Sequence, residues 1–102
     1  MMHKVVCLKP DGGIRSFDMN HKKVNLFFDN EEYEICGAID EECIIALGYS
    51  AKNKGENIFS IEYPNYFEKT YGDILLVGSD NDGEACDINL ENIWKMFPKV
   101  VS

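Results

Sequence analysis

No apolar run in this chain of 102 residues approaches the roughly 18 to 20 that span a bilayer. The opening MMHKVVCLKPDGG also lacks the apolar stretch and small-residue cleavage site of a secretory signal. The expectation is a protein that is not secreted, has no membrane partner and acts in the cytoplasm. Cysteines are few and unpaired in spacing: Cys7, Cys36, Cys43 and Cys86 form no C-x-x-C, and the two histidines, His3 and His21, lie far from any such pair. Neither a disulfide framework nor a zinc site is expected. VVCL, EICGAI and ECIIAL instead embed thiols in apolar surroundings, where cysteine behaves as a small hydrophobe, so all four are expected reduced and in or near the core. The eight glycines make neither G-x-G-x-x-G nor G-x-x-x-x-G-K-[ST], so no phosphate cradle and no cofactor is expected. None of Ser16, Ser50, Ser60, Ser79 and Ser102 sits in a G-x-S-x-G elbow. No repeat, low-complexity tract or Pro/Gly/Ser-rich linker divides the chain, which is read as one domain over 1–102.

Positive charge is also scarce, with 10 basic against 18 acidic residues and a net charge of −8. Nucleic-acid binding rests first on neutralising phosphates, so nucleic acid is excluded as a partner, and HKK at 21–23 is too short a basic patch to reverse this. The acids gather in DNEEYE (29–34), in DEE (40–42) and over 80–91. Such a surface confers solubility. An alternative is that the carboxylates imitate a phosphate ladder and fill the groove of a DNA-binding protein. Paired carboxylates such as Asp40 with Glu42, or Asp80 with Asp82, fall on turns where they are solvated, and no catalytic signature emerges.

GSDNDGEACDINLE at 78–91 admits two readings, a calcium loop or a tight turn. With Gly83 at the sixth position of an EF-hand, the first position falls on Gly78 and the twelfth on Asn89, which removes two of the strongest ligands. The turn accounts for more: DILLVGS and EACDI run antiparallel about DNDG, whose residues tolerate positive φ. Asn89 then caps a helix in which Leu90, Ile93, Trp94 and Phe97 form one apolar face, with Pro98 as its stop.

Upstream, HKVVCL and IRSFDM flank KPDGG as a first hairpin, and Asn20 caps a short helix with Val24, Phe27 and Phe28 on one face, ending at DN. YEICGAI (33–39) and CIIALGY (43–49) make a second hairpin, followed by a polar loop over 50–57. Ile58, Phe59 and Ile61 suggest a short strand, which Pro64 directs out of the sheet. Tyr63, Tyr66, Phe67 and Tyr71 then either cap the core or present an aromatic binding surface. The sum is an α+β domain: a mostly antiparallel sheet of about five or six strands with two short helices, the second C-terminal.

KVVCLKPDGG, EEYEICGAIDEECIIALGY and GDILLVGSDNDGEACDINLENIWKMF, in this order, resemble a small domain of unknown function found in phages and large double-stranded DNA viruses. KKVNLFFDN departs from the longer helix of that pattern. The resemblance brings no catalytic residues; it implies a viral or phage accessory protein in the infected cell's cytoplasm or a minor virion part. The functional expectation is non-enzymatic binding of a host or viral protein through an acidic and aromatic surface. Its candidate residues are Tyr63, Tyr66, Phe67 and Tyr71 with Asp80, Asp82 and Glu84. The alternatives are the DNA mimic above and a binder that sequesters a small molecule, for which Lys52, Lys54 and Lys69 supply the cations near the aromatic segment.

Overall fold

HKVVCL ends in the continuous apolar run VVCL, IRSFDM interleaves apolar with polar residues, and across a proline–glycine turn the two pair antiparallel as β1 (His3–Leu8) and β2 (Ile14–Met19). The amide of Lys9 donates to the Gly13 carbonyl at 2.8 Å and closes the turn. The computed structural model describes residues 2–39 and 43–97; the acidic turn at 40–42 and the stop expected at Pro98 lie outside them. The Asn20 side chain accepts from the Lys22 amide and starts a 3-10 turn (His21–Lys23) that runs into α1 (Val24–Phe27). Asp29 and Asn30, at φ 54° and 61°, end this helix after one turn, as short polar side chains in the left-handed region do.

β3 (Tyr33–Ile39) and β4 (Ile44–Tyr49) form the second expected hairpin, with an irregularity between Ile35 and Gly37 that leaves Cys36 as an extra residue. Next comes α2 (Ile58–Glu62), where a strand was expected from the apolar residues at 58, 59 and 61. The reason lies one residue earlier. Asn57 is fully buried; its side-chain oxygen accepts from the Phe59 amide at 2.9 Å, and its amide group donates to the carbonyls of Leu8 and Gly72 at 2.9 Å each. The cap satisfies an orphan N–H of the first turn, and the helix buries Phe59 and Ser60 while leaving Ile61 half exposed at 50%.

β5 (Ile74–Ser79) and β6 (Ala85–Cys86) make the third hairpin, and α3 (Leu90–Met96) follows its Asn89 cap. The sheet order is β2-β1-β5-β4-β3, with β6 paired to the end of β5 and every pairing antiparallel. β5 lies at the centre, so ILLVG is buried along its length, whereas alternation reappears in β4. Among the described residues no helix is long and apolar enough to cross a membrane.

Strand alternation splits the core between the two sheet faces. On one face Val6, Leu8, Ile44, Ala46, Ile74 and Leu76 pack beneath Phe59, Ile93 and Phe97 of the α2 and α3 layer. On the other, Val5, Met19, Leu75 and Val77 pack with Val24 and Phe28 of the segment around α1. Trp94, expected in the core, is 52% exposed. Successive helix residues are ~100° apart, so Ile93 and Phe97 point within ~40° of one another while Trp94 points ~100° from Ile93. Met96, packed against the core from the other flank, sets the buried direction away from Trp94.

Candidate functional site

The two faces of the sheet are covered unequally, because α1 has one turn and the α2–α3 layer has two helices. Phe28, at the end of α1, covers the near end of β3 and β4, stacking on Tyr33 with ring centroids 4.8 Å apart and meeting Tyr49 edge-on at 4.9 Å. Beyond it, register places Ile35 opposite Leu47 and Leu47 opposite Leu75, then Ala38 opposite Ile45 and Ile45 opposite Val77. These residues share the face of α1, since alternate residues of a strand point the same way. Ile35 is 63% exposed, Ala38 is exposed, and Ile45 and Leu47 are half-buried. The result is a contiguous apolar strip on β3 and β4 that no described element covers.

Charge lies at one end of the strip, where Asp29 and Glu31 approach Tyr49 and Glu31 meets Lys54 at 3.3 Å. Lys54 also lies 4.4 Å from the centroid of the Tyr49 ring. Exposed Glu34 alternates with Tyr33 and Ile35 and so projects from the opposite face.

The residues expected to bind a partner do not form one surface. Phe67 is buried, and Tyr63 and Tyr66 are half-buried with their rings edge-on to Phe97 at 4.8 and 6.2 Å. These three aromatics wall the Phe97 pocket and hold the crossing segment against β3, where the Glu68 amide donates to the Cys36 carbonyl at 2.7 Å. Half-buried Tyr71 precedes β5, whereas Asp80, Asp82 and Glu84 follow it, exposed, at the opposite end of that strand. The turn itself is as expected: the Asp80 carboxylate accepts from the amides of Asp82 and Glu84 at 2.9 Å each, and Gly83 takes φ 80°.

Of the cations that the small-molecule alternative would draw on, Lys54 and Lys69 each meet a carboxylate: Glu31 for Lys54 and, at 2.9 Å, Glu56 for Lys69. The Glu56 hydrogen bond and charge hold the Lys69 ammonium above its ordinary pKa. Lys52 is exposed. An open groove of about 580 Å³ lies between the α2 exit and α3, lined by Tyr63, Pro64, Tyr66 and Met96.

Register brings together a pair that separation in sequence conceals. His3 pairs with Met19 across the first hairpin, and His21, two residues beyond, meets it edge-on with centroids 5.4 Å apart. His3 Nδ1 lies 3.5 Å from an Asp87 carboxylate oxygen. His21 Nε2 is buried without a hydrogen-bond partner among the described residues, and burial, then the charge of His3, pull its pKa down. No group of three or more His, Cys, Asp or Glu among the described residues is arranged to hold a metal ion.

Cys7 and Cys36 are buried and Cys86 is half-buried, but Cys43, expected in or near the core, is exposed. It stands at φ 54° just before β4, where its carbonyl accepts from the Ser79 amide at 2.9 Å, and the apolar run after it enters the sheet without it.

An antiparallel α+β sheet with one face closed by two helices and the other partly open is thus the class that fold and site define. Comparison of the chain with protein-family models, curated proteins and solved structures found no match.

Proposed function

We propose that this is a protein-binding module whose binding surface is the uncovered strip on β3 and β4, with Asp29 and the Glu31–Lys54 pair beside Tyr49 at one end. The observation that carries the reading is Ile35, 63% exposed in the middle of a strand and directly opposite half-buried Leu47. Apolar residues scattered singly on a surface need no explanation, whereas a contiguous apolar strip rimmed by charge marks an interaction site. Tyr33, 39% exposed at one end, supplies an aromatic component. The partner in this reading is a host or viral protein, in keeping with the phage and viral domain that the sequence resembles, and the action is cytoplasmic binding without catalysis. A photo-cross-linking residue in place of Ile35 tests it in expressing cells. The expected result is one recurrent cross-linked protein, lost when Leu47→Glu is added and absent when the photoprobe replaces Ile61 instead. Cross-links from position 61 but none from position 35 would place the binding surface on the α2 side and overturn the reading.

A further inference from the structure

The segment around α1 that covers β5 on the second face is fastened to the sheet by side chains alone. Among the described residues, the hydrogen bonds of 21–30 stay within 20–31, as in Phe28 to Val24, Asp29 to Leu26 and Asn30 to Asn25. Val24 and Phe28 are buried with Val5, Met19, Leu75 and Val77, and Phe27 stacks on Phe17 at 6.0 Å. Asn25, Leu26, Asp29 and Asn30 are exposed. A segment with so few buried contacts opens at a lower free energy than the sheet beneath it.

His21 stands at one end of this segment, with Nε2 buried and unpartnered among the described residues and its ring edge-on to His3 at 5.4 Å. Around it are His3 of β1, Glu84 before β6, Asp87 after β6 and Lys22 of its own turn. Lys4 and Asp18 alternate with His3 and Met19 and so project from the other face. The two imidazoles differ in what receives them when charged. His3 has an Asp87 oxygen 3.5 Å from Nδ1, and that same oxygen already accepts from the Lys4 amide at 2.7 Å. His21 brings its charge beside His3 and Lys22, where burial first and His3 second disfavour it. Lifting the segment returns Nε2 to water, so each proton bound favours the open form.

We infer that 21–30 is a flap released by acid, with His21 as its proton sensor, and that its opening bares Leu75 and Val77 beside Leu47 and Ile45. Register supports the last step, since Leu47 pairs with Leu75 and Ile45 with Val77. Protonation thus widens the apolar strip from two strands to three. That consequence rests on the reading of the strip as a binding surface, whereas the flap itself does not.

Amide hydrogen exchange of the whole chain tests the flap, followed by NMR at about pH 7.5 and about pH 5.5 and corrected for the intrinsic rate at each pH. The amides of Phe28, Asp29 and Asn30 are expected to exchange through an opening that leaves Leu75 and Leu76 protected. That opening is expected to grow about threefold to tenfold at the lower pH. His21→Asn is expected to abolish the growth, and His3→Asn to reduce it by removing the neighbouring charge. Exchange of the three amides at the rate of β5 overturns the flap, and growth that persists in His21→Asn overturns the sensor. Protection that holds or rises at the lower pH shows Glu84 receiving the imidazolium and clamping the segment, which also overturns the inference. The uncovering is read from Val77→Cys, labelled with a dipyridyl disulfide at a rate divided by that of the unfolded protein at the same pH. This ratio is expected to rise by the same factor as the opening, and a ratio that stays level while the flap amides respond overturns the baring of β5. Neither measurement involves Ile35, so a failed cross-link at that position overturns the strip and leaves the flap to be decided by exchange.

Discussion

Trp94 on α3 and Phe97, the residue that ends the helix, have opposite environments, the first 52% exposed and the second fully buried among Phe59, Tyr63, Tyr66 and Phe67. Phe97→Ala removes the ring on which those aromatics converge and is expected to cost about 3 to 5 kcal/mol in denaturant unfolding. Trp94→Ala is expected to stay within about 0.5 kcal/mol, as surface substitutions do. Because Trp94 is the only tryptophan, its fluorescence reads the same distinction, and efficient acrylamide quenching in the native state is the expected result. The cysteines divide in the same way. Burial, helped by Asp73, pushes the Cys7 thiol up to about 11, while Cys43 is exposed. With iodoacetamide at about pH 8 under native conditions, the alkylation followed by mass spectrometry is expected at Cys43 first and at Cys7 last, since the thiolate is the nucleophile. Cys7 modified as fast as Cys43 would contradict the burial.

At the scale of elements, two short segments depend on single residues. Asn57 caps α2 and ties it to β1 and to the entry of β5 through the Leu8 and Gly72 carbonyls. Asn57→Ala loses the cap and strands two buried acceptors, an expected cost of about 2 to 4 kcal/mol, read from the denaturation midpoint at unchanged m-value. Gly37 serves the packing of the aromatic crossing segment on β3, since a Cβ there would run into the Tyr66 carbonyl. Gly37→Ala is expected to destabilise by about 1 to 3 kcal/mol, the range for overpacking, whereas Gly55→Ala, with nothing near the added methyl, is the control. A Gly37→Ala protein as stable as the wild type would mean that the segment at 63–68 does not lie against β3.

For the molecule as a whole, the His3–His21 contact predicts the direction of acid sensitivity. The native environment lowers the His21 pKa from 6.5 by burial first and by the charge of His3 second, with Glu84 lining the same groove and Asp87 beside His3. The unfolded chain therefore binds a proton that the native state resists. Stability is fully present above about pH 6.5 and declines as pH falls below it, until His21 titrates in the native state too. His21→Asn is expected to flatten that part of the melting-temperature profile, and a wild-type profile level between about pH 7 and 5 would contradict it. The Cys7 thiol acts at the other end of the scale: native burial favours its neutral form, so its contribution holds below 9.0 and fades as pH rises toward about 11.

Local chemistry determined the three hairpins, the Asn20 and Asn89 caps, the Asp80 turn and the α+β class. Each rests on residues within a few positions of one another: glycine or aspartate for a reversed chain, a side-chain oxygen for an orphan N–H, alternation for a strand. The same local chemistry was present in Asn57 but was outweighed by the apolar pattern after it, because a five-residue helix is too short to display a helical period. Direction and coverage depended on the assembled molecule. Spacing puts Leu90, Ile93, Trp94 and Phe97 within one arc of a helix, but Met96 and the aromatics around Phe97 decide which part of that arc is buried. Alternation puts Ile35, Ile45 and Leu47 on one face of a sheet; whether that face is closed depends on the length and position of α1, a segment distant from β4 in the chain. The sequence by itself therefore determined which elements form, because that is governed by near neighbours. Only the tertiary structure decided which apolar side chains remain uncovered, because that depends on how much surface one element has to lay over another.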